Sequence, residues 1–120
     1  MRKRTLFTAL VFSLSMFSST SFADWTEVGK SVVSGDTFYV DFERIRKHGG
    51  YVYWWRLSDD LKPTEQGHLS VKVYNQGDCK LFRFKYLSYS FHKEPMGGGT
   101  GEIDNEPDKE WMYPPPDSIG

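Results

Sequence analysis

The 120-residue sequence has a single cysteine, Cys79, so no disulfide forms within the chain. It also lacks any Cys-x-x-Cys or His-x-x-x-His spacing. His48, His68 and His92 stand far apart on separate segments, and no bound metal is expected. No apolar run reaches the roughly 20 residues that a helix needs to cross a bilayer, so no membrane span is expected. The one glycine-rich stretch, Met96 to Gly101, is followed by Glu102 and Ile103 rather than by the Lys and Ser or Thr of a phosphate loop. A dinucleotide fingerprint starting at Gly97 fails as well, because its third glycine falls on Glu102. No cofactor is expected, and the stretch reads as a mobile hairpin loop.

Basic charge is scarce outside the N-terminus. The chain holds 15 Lys and Arg against 16 Asp and Glu. Three of the basic residues, Arg2, Lys3 and Arg4, precede an apolar run from Leu6 to Phe17, which is the order of a secretory signal peptide. Thr8, Ser13 and Ser15 interrupt that run and argue against a permanent anchor. Ser21-Phe22-Ala23 places small side chains where a signal peptidase requires them, so the cut is expected between Ala23 and Asp24. Residues 1–23 are thus read as the leader and residues 24–120 as one domain. The remainder carries 12 basic and 16 acidic residues, a net charge of −4. Nucleic acid, which calls for a basic surface, is not the expected partner. No cysteine follows the cut to accept a lipid, so the product is expected to be soluble, without a lipid anchor, in the periplasm or outside the cell.

Aromatic residues are abundant: the chain has four Trp, seven Tyr and nine Phe. With β-branched residues and frequent turn signals, they favour antiparallel strands over helices. The reading is a mainly β domain, α+β at most, with a sheet of about five to six strands. Strands are expected from Trp25 to Val28, at Val32-Val33, and from Phe38 to Phe42 with Phe38, Val40 and Phe42 on the buried face. Gly49-Gly50 suits a tight turn before Tyr51 to Leu57, whose two faces are both apolar. That segment is the expected central strand, with Trp55 buried in it. Leu69, Val71 and Val73 alternate with polar residues as a half-buried strand does, and Gln76-Gly77-Asp78 reads as the next turn. In the following strand the apolar parity shifts after Tyr86, which predicts a β-bulge near Tyr86-Leu87. Helix is limited to a turn or two around Phe42 to Lys47 or Pro107 to Trp111.

No residue constellation points to catalysis. A Cys79–His pair would make a thiolate nucleophile, and the scattered carboxylates leave a small hydrolase as one alternative. The aromatic surplus is read as core first and interface second. The basic segment Arg44, Arg46, Lys47 with Tyr51 is the candidate interaction surface, although its plainer reading is a solvated turn.

An ordered set of residues carries one resemblance. Trp25, Tyr39-Val40-Asp41, Ile45-Arg46-Lys47 with Gly49-Gly50, Trp55, Ser70-Val71-Lys72, Asp78-Cys79, Met96-Gly97, and Trp111 before Pro115 and Ser118 together resemble the surface-adhesin protein E family of bacterial envelope proteins. The resemblance implies a small antiparallel sheet packed with a C-terminal helix, no enzymatic activity, adhesion to host matrix or envelope proteins, and homodimer formation. It also implies a second cysteine beyond the proline-serine segment. The sequence stops at Gly120 without one, so the family helix is expected to be missing or truncated. Cys79 is then left to pair only between molecules. A periplasmic envelope role unrelated to adhesion is the other alternative.

Overall fold

The computed structural model describes residues 23–115. Most of the expected leader, and residues 116–120, past which the family helix is expected to be missing or truncated, lie outside the described residues. Seven antiparallel strands form one sheet: β1 Thr26–Lys30, β2 Thr37–Val40, β3 Arg46–His48, β4 Tyr51–Asp59, β5 Ser70–Asp78, β6 Arg83–His92 and β7 Glu102–Asp104. The spatial order is β1-β2-β4-β5-β6-β7. β2 pairs with Arg56 to Asp59 of β4 and β3 with Tyr51 to Tyr53, so the two short strands share one edge of β4. The described residues contain no α-helix, only the 3-10 turns Phe42–Arg44 and Pro95–Gly97.

β4 is the central strand because its aromatic and aliphatic residues suit both faces. Tyr51, Tyr53, Trp55 and Leu57 share the first face, and Val52, Trp54 and Arg56 share the second. The register continues this division. Tyr74, Lys72 and Ser70 of β5 join the first face, opposite Trp55, Leu57 and Asp59, whereas Asn75 and Val73 join the second. Only Leu57 and Val73 are fully buried apolar residues among those described, one on each face. Trp55, expected to be buried, is half-buried. Among the described residues no second sheet or α-helix closes over the sheet's large rings.

β5 pairs with β6 through a bulge. Tyr74 faces Ser88 and Asn75 faces Tyr86, which leaves Leu87 as the extra residue. The bulge resets the parity, so Phe84, Tyr86, Tyr89 and Phe91 all lie on the second face, in ring contact at 5.7, 5.7 and 5.9 Å between neighbours. The turn between these strands is Cys79 to Phe82, not Gln76 to Asp78, which belongs to β5. The Asp78 carboxylate accepts the backbone N–H groups of Lys80 and Leu81, both at 3.2 Å, and Arg83 Nε at 3.0 Å. Desolvation pushes its pKa up, but these donors outweigh it and hold the group below the usual carboxylate range. That anchor holds a turn in which Phe82 takes the left-handed conformation at φ 52°.

Other expectations are corrected. Val32 and Val33 form an exposed turn, 99% and 94% accessible, because Ser31 closes that turn with its backbone instead of extending a strand. Phe42 leaves the face of Phe38 and Val40 because the chain enters the 3-10 turn there, and it is exposed. The basic link Arg46 to His48 is a strand, and a seventh short strand lies at Glu102 to Asp104. The glycine-rich segment is pinned across the first face. Ser70 Oγ donates to Glu94 O at 2.6 Å and accepts Gly97 N at 2.8 Å, while Met96 N donates to Asp59 Oδ1 at 2.8 Å.

Candidate functional site

The pinned loop and the open end of the first face are chemically different. Under the loop, Ser90 Oγ lies 2.7 Å from His92 Nε2, and His92 Nδ1 lies 3.1 Å from Gly98 O. A Cβ at Gly101 would collide with the Ser90 hydroxyl and the imidazole. This hydroxyl–imidazole pair is covered by backbone and has a carbonyl, not a carboxylate, on Nδ1, so it clamps the loop rather than activating a nucleophile. Burial and then the Lys72 charge hold the His92 pKa below its ordinary value. Cys79 is exposed in the β5–β6 turn. His68 and His92 lie at the opposite ends of those strands, and His48 lies at the Cys79 end of the sheet but on β3, across β4 from β5. The fold therefore brings neither His68 nor His92 to the thiol.

The other end of the first face gathers aromatic and cationic side chains. Cross-strand pairing sets Arg46, Tyr53, Gln76 and Lys85 in one row, and His48 and Tyr51 in the row beside it. Four strands at about 4.8 Å spacing put the two ends of the first row about 14 Å apart. Gln76 Nε2 donates to Tyr53 Oη at 3.2 Å. Tyr51 stacks on Trp111 with centroids 5.7 Å apart. The Arg83 guanidinium and the Lys85 ammonium approach the Trp111 ring at 4.3 and 4.7 Å, within cation–π range. Trp111 reaches this position because Met112 exchanges two backbone hydrogen bonds with Phe84, at 2.8 and 2.9 Å. Toward the middle of the sheet the rings continue, with Tyr53 against Tyr74 at 6.1 Å and Tyr74 against Trp55 at 4.9 Å.

The four residues of the expected surface are divided. Arg46 and Tyr51 share the first face, Lys47 pairs with Val52 and so points to the second, and Arg44 turns toward Asp41, 2.8 Å away. The structure adds Trp111, Arg83 and Lys85. The alternation of Arg83 and Lys85 shows in sequence that they share a face, but nothing local announces that Trp111 folds back between them. On the second face a groove of about 390 Å³ is lined by Phe38, Val40, Trp54 and Phe84, with Arg56 beside them. The Arg56 guanidinium donates to Tyr86 Oη at 3.2 Å.

No helix among the described residues is long and apolar enough to cross a membrane. No curated protein matches the chain. Among solved structures, crystal form II of Haemophilus influenzae protein E aligns with a TM-score of 0.57 and 17% identity over 83% of each chain. Protein E from non-typeable Haemophilus influenzae aligns with a TM-score of 0.55 and 16% identity, over 83% of this chain and 72% of that one. At this identity the likeness shows the fold. The profile of the surface-adhesin protein E family matches residues 25–120, nearly all of the expected mature domain, so the chain belongs to that family, one of exported or surface proteins.

Proposed function

We propose that the domain acts by binding a protein partner, without catalysis, through the cationic and aromatic end of its first face. The observation that carries this reading is Trp111, stacked on Tyr51 and flanked by Arg83 and Lys85, with Arg46 in the neighbouring row. Aromatic and Arg side chains are the residues that contribute most at protein interfaces, and an acidic partner surface complements the local charge. The partner is a host matrix or envelope protein, and the half-buried rings also suit a homodimer. The working location is the periplasm or the cell exterior, in a form that starts at Asp24 and has no lipid anchor.

The test is a pull-down of the exported protein against envelope and host extracellular proteins, followed by surface plasmon resonance on each captured partner. Arg46→Glu combined with Lys85→Glu is expected to weaken binding by at least tenfold, and added salt to weaken it further. Lys62→Glu, in the exposed loop after β4, is the control. Equal affinity for the double variant and the parent would refute this surface.

A further inference from the structure

β1 begins beside a buried carboxylate that is only half satisfied. Asp41 is completely buried. Its Oδ2 takes the Arg44 guanidinium at 2.8 Å, but Oδ1 has no hydrogen-bond partner. Leaving a carboxylate oxygen dry and unpaired is costly, and such an atom calls for a donor. Oδ1 belongs to a residue that lines a cavity of about 240 Å³ together with Ala23, Trp25, Arg44, Trp55 and Lys72. The register explains the cluster. Thr26 pairs with Val40, so Trp25 comes next opposite Asp41, and Asp41 N donates to Trp55 O at 3.3 Å. Trp25, Asp41 and Trp55 thus form a cross-strand row, and the wall beside it is Ala23, the residue before the expected cut.

We propose that this cavity is a binding site for the chain's own mature N-terminus, the α-ammonium of Asp24, which pairs with Asp41 once the leader is removed. The inference rests on cleavage between Ala23 and Asp24. A signal peptidase adds one water across that peptide bond: Ala23 leaves with the new carboxylate, and Asp24 keeps the amine, which takes a proton. Ala23 withdraws from the cavity wall as the donor is created. Before the cut that nitrogen is one peptide bond of about 1.33 Å from the carbonyl carbon of Ala23, which lines the cavity, so the amine is released at the cavity wall. Trp25 and Trp55 line the cavity, and aromatic rings are compatible with a cation beside them. Lys72 is the competing donor, but its stem lies under the Gly97 backbone, where a Cβ at Gly97 would stand 3.2 Å from Lys72 Cδ. Export and folding are thereby coupled, because the uncut precursor lacks the donor that satisfies its buried acid.

The experiment starts with N-terminal sequencing of the exported protein, which separates a failure of the cleavage from a failure of the site. A chain starting at Asp24 is then compared with one retaining Ala23 and with one acetylated on its α-amine. Both altered chains are expected to melt lower, by about 5 °C or more. In an Asp41→Asn background the three should coincide, whereas in Lys72→Met the difference should persist. A second measurement needs no Asp41 variant: in the native chain the Asp24 amine should react with an acylating reagent more slowly than the amine of the Ala23-retaining chain. A mature start elsewhere, equal melting of all three N-termini, or equal acylation rates would overturn the proposal.

Discussion

Leu57→Ala is the substitution that most directly measures how this sheet is held together. Leu57 is 0% exposed and pairs across the strands with Tyr39 on one side and Lys72 on the other. The turn Pro95–Gly97 packs against β4 and β5 above it. Truncation removes three carbon atoms, a transfer loss of about 2.4 kcal/mol at about 0.8 kcal/mol each. The pinned loop cannot collapse freely into the space, so a cavity penalty brings the total to about 3–4 kcal/mol. A domain of this size is stable by about 5–15 kcal/mol, so the loss is a large share of the whole. Urea unfolding followed by tryptophan fluorescence and by circular dichroism is the assay, with a fall in melting temperature of roughly 12–30 °C expected alongside. Trp55→Ala, on the half-exposed ring that lines a cavity, should cost less than Leu57→Ala. A Leu57→Ala loss below about 1 kcal/mol at unchanged m-value would refute this account of the core.

Gly77→Ala should destabilise by about 1–3 kcal/mol in the same assay, because the new Cβ would lie 2.7 Å from the Trp54 ring, too close for contact. His92 supplies a pH test: its folded pKa lies below the ordinary value of about 6.5, so the unfolded chain takes the proton first. Its contribution is complete above about pH 6.5 and is lost as the pH falls from there toward the folded pKa, and His92→Gln should flatten that limb of the melting-temperature profile. Cys79, exposed in its turn, should label stoichiometrically with a thiol reagent and give a disulfide-linked dimer under oxidising conditions, seen on a non-reducing gel and absent in Cys79→Ser.

Local periodicity carried most of the sheet. The two-sided apolar character of Tyr51 to Leu57 predicted a central strand, and the parity change at Tyr86-Leu87 predicted the bulge, because both follow from the two-residue repeat of a strand. What stayed hidden depends on partners distant in sequence. Arg46 to His48 is polar and short, and becomes a strand only because β4 offers a free edge beyond the end of β2. Gln76 to Asp78 has turn composition but pairs with β4 or β6 throughout, Gly77 being needed there to admit the Trp54 ring. The surface around Tyr51 was half legible for the same reason. Arg46 and Tyr51 lie close together in sequence, whereas Arg83 and Lys85 come from β6 and Trp111 arrives through a backbone bridge to Phe84 that no local pattern encodes.

The single layer links fold to function. With two fully buried apolar side chains among the described residues, the sheet relies on coverings other than a second sheet. At one end of the first face the glycine-rich loop is that covering, held by Ser70, Asp59 and His92. At the other end Trp111 stacks on Tyr51 and lies beside Arg83 and Lys85, while Arg46 is exposed. A strand face of aromatic rings rimmed by cations is stable in water only while its charged groups stay solvated, and it gains when an acidic surface replaces that water. The closed end therefore stabilises the domain, the open end is the surface proposed for a partner, and the Trp55–Tyr74–Tyr53 ladder joins the two.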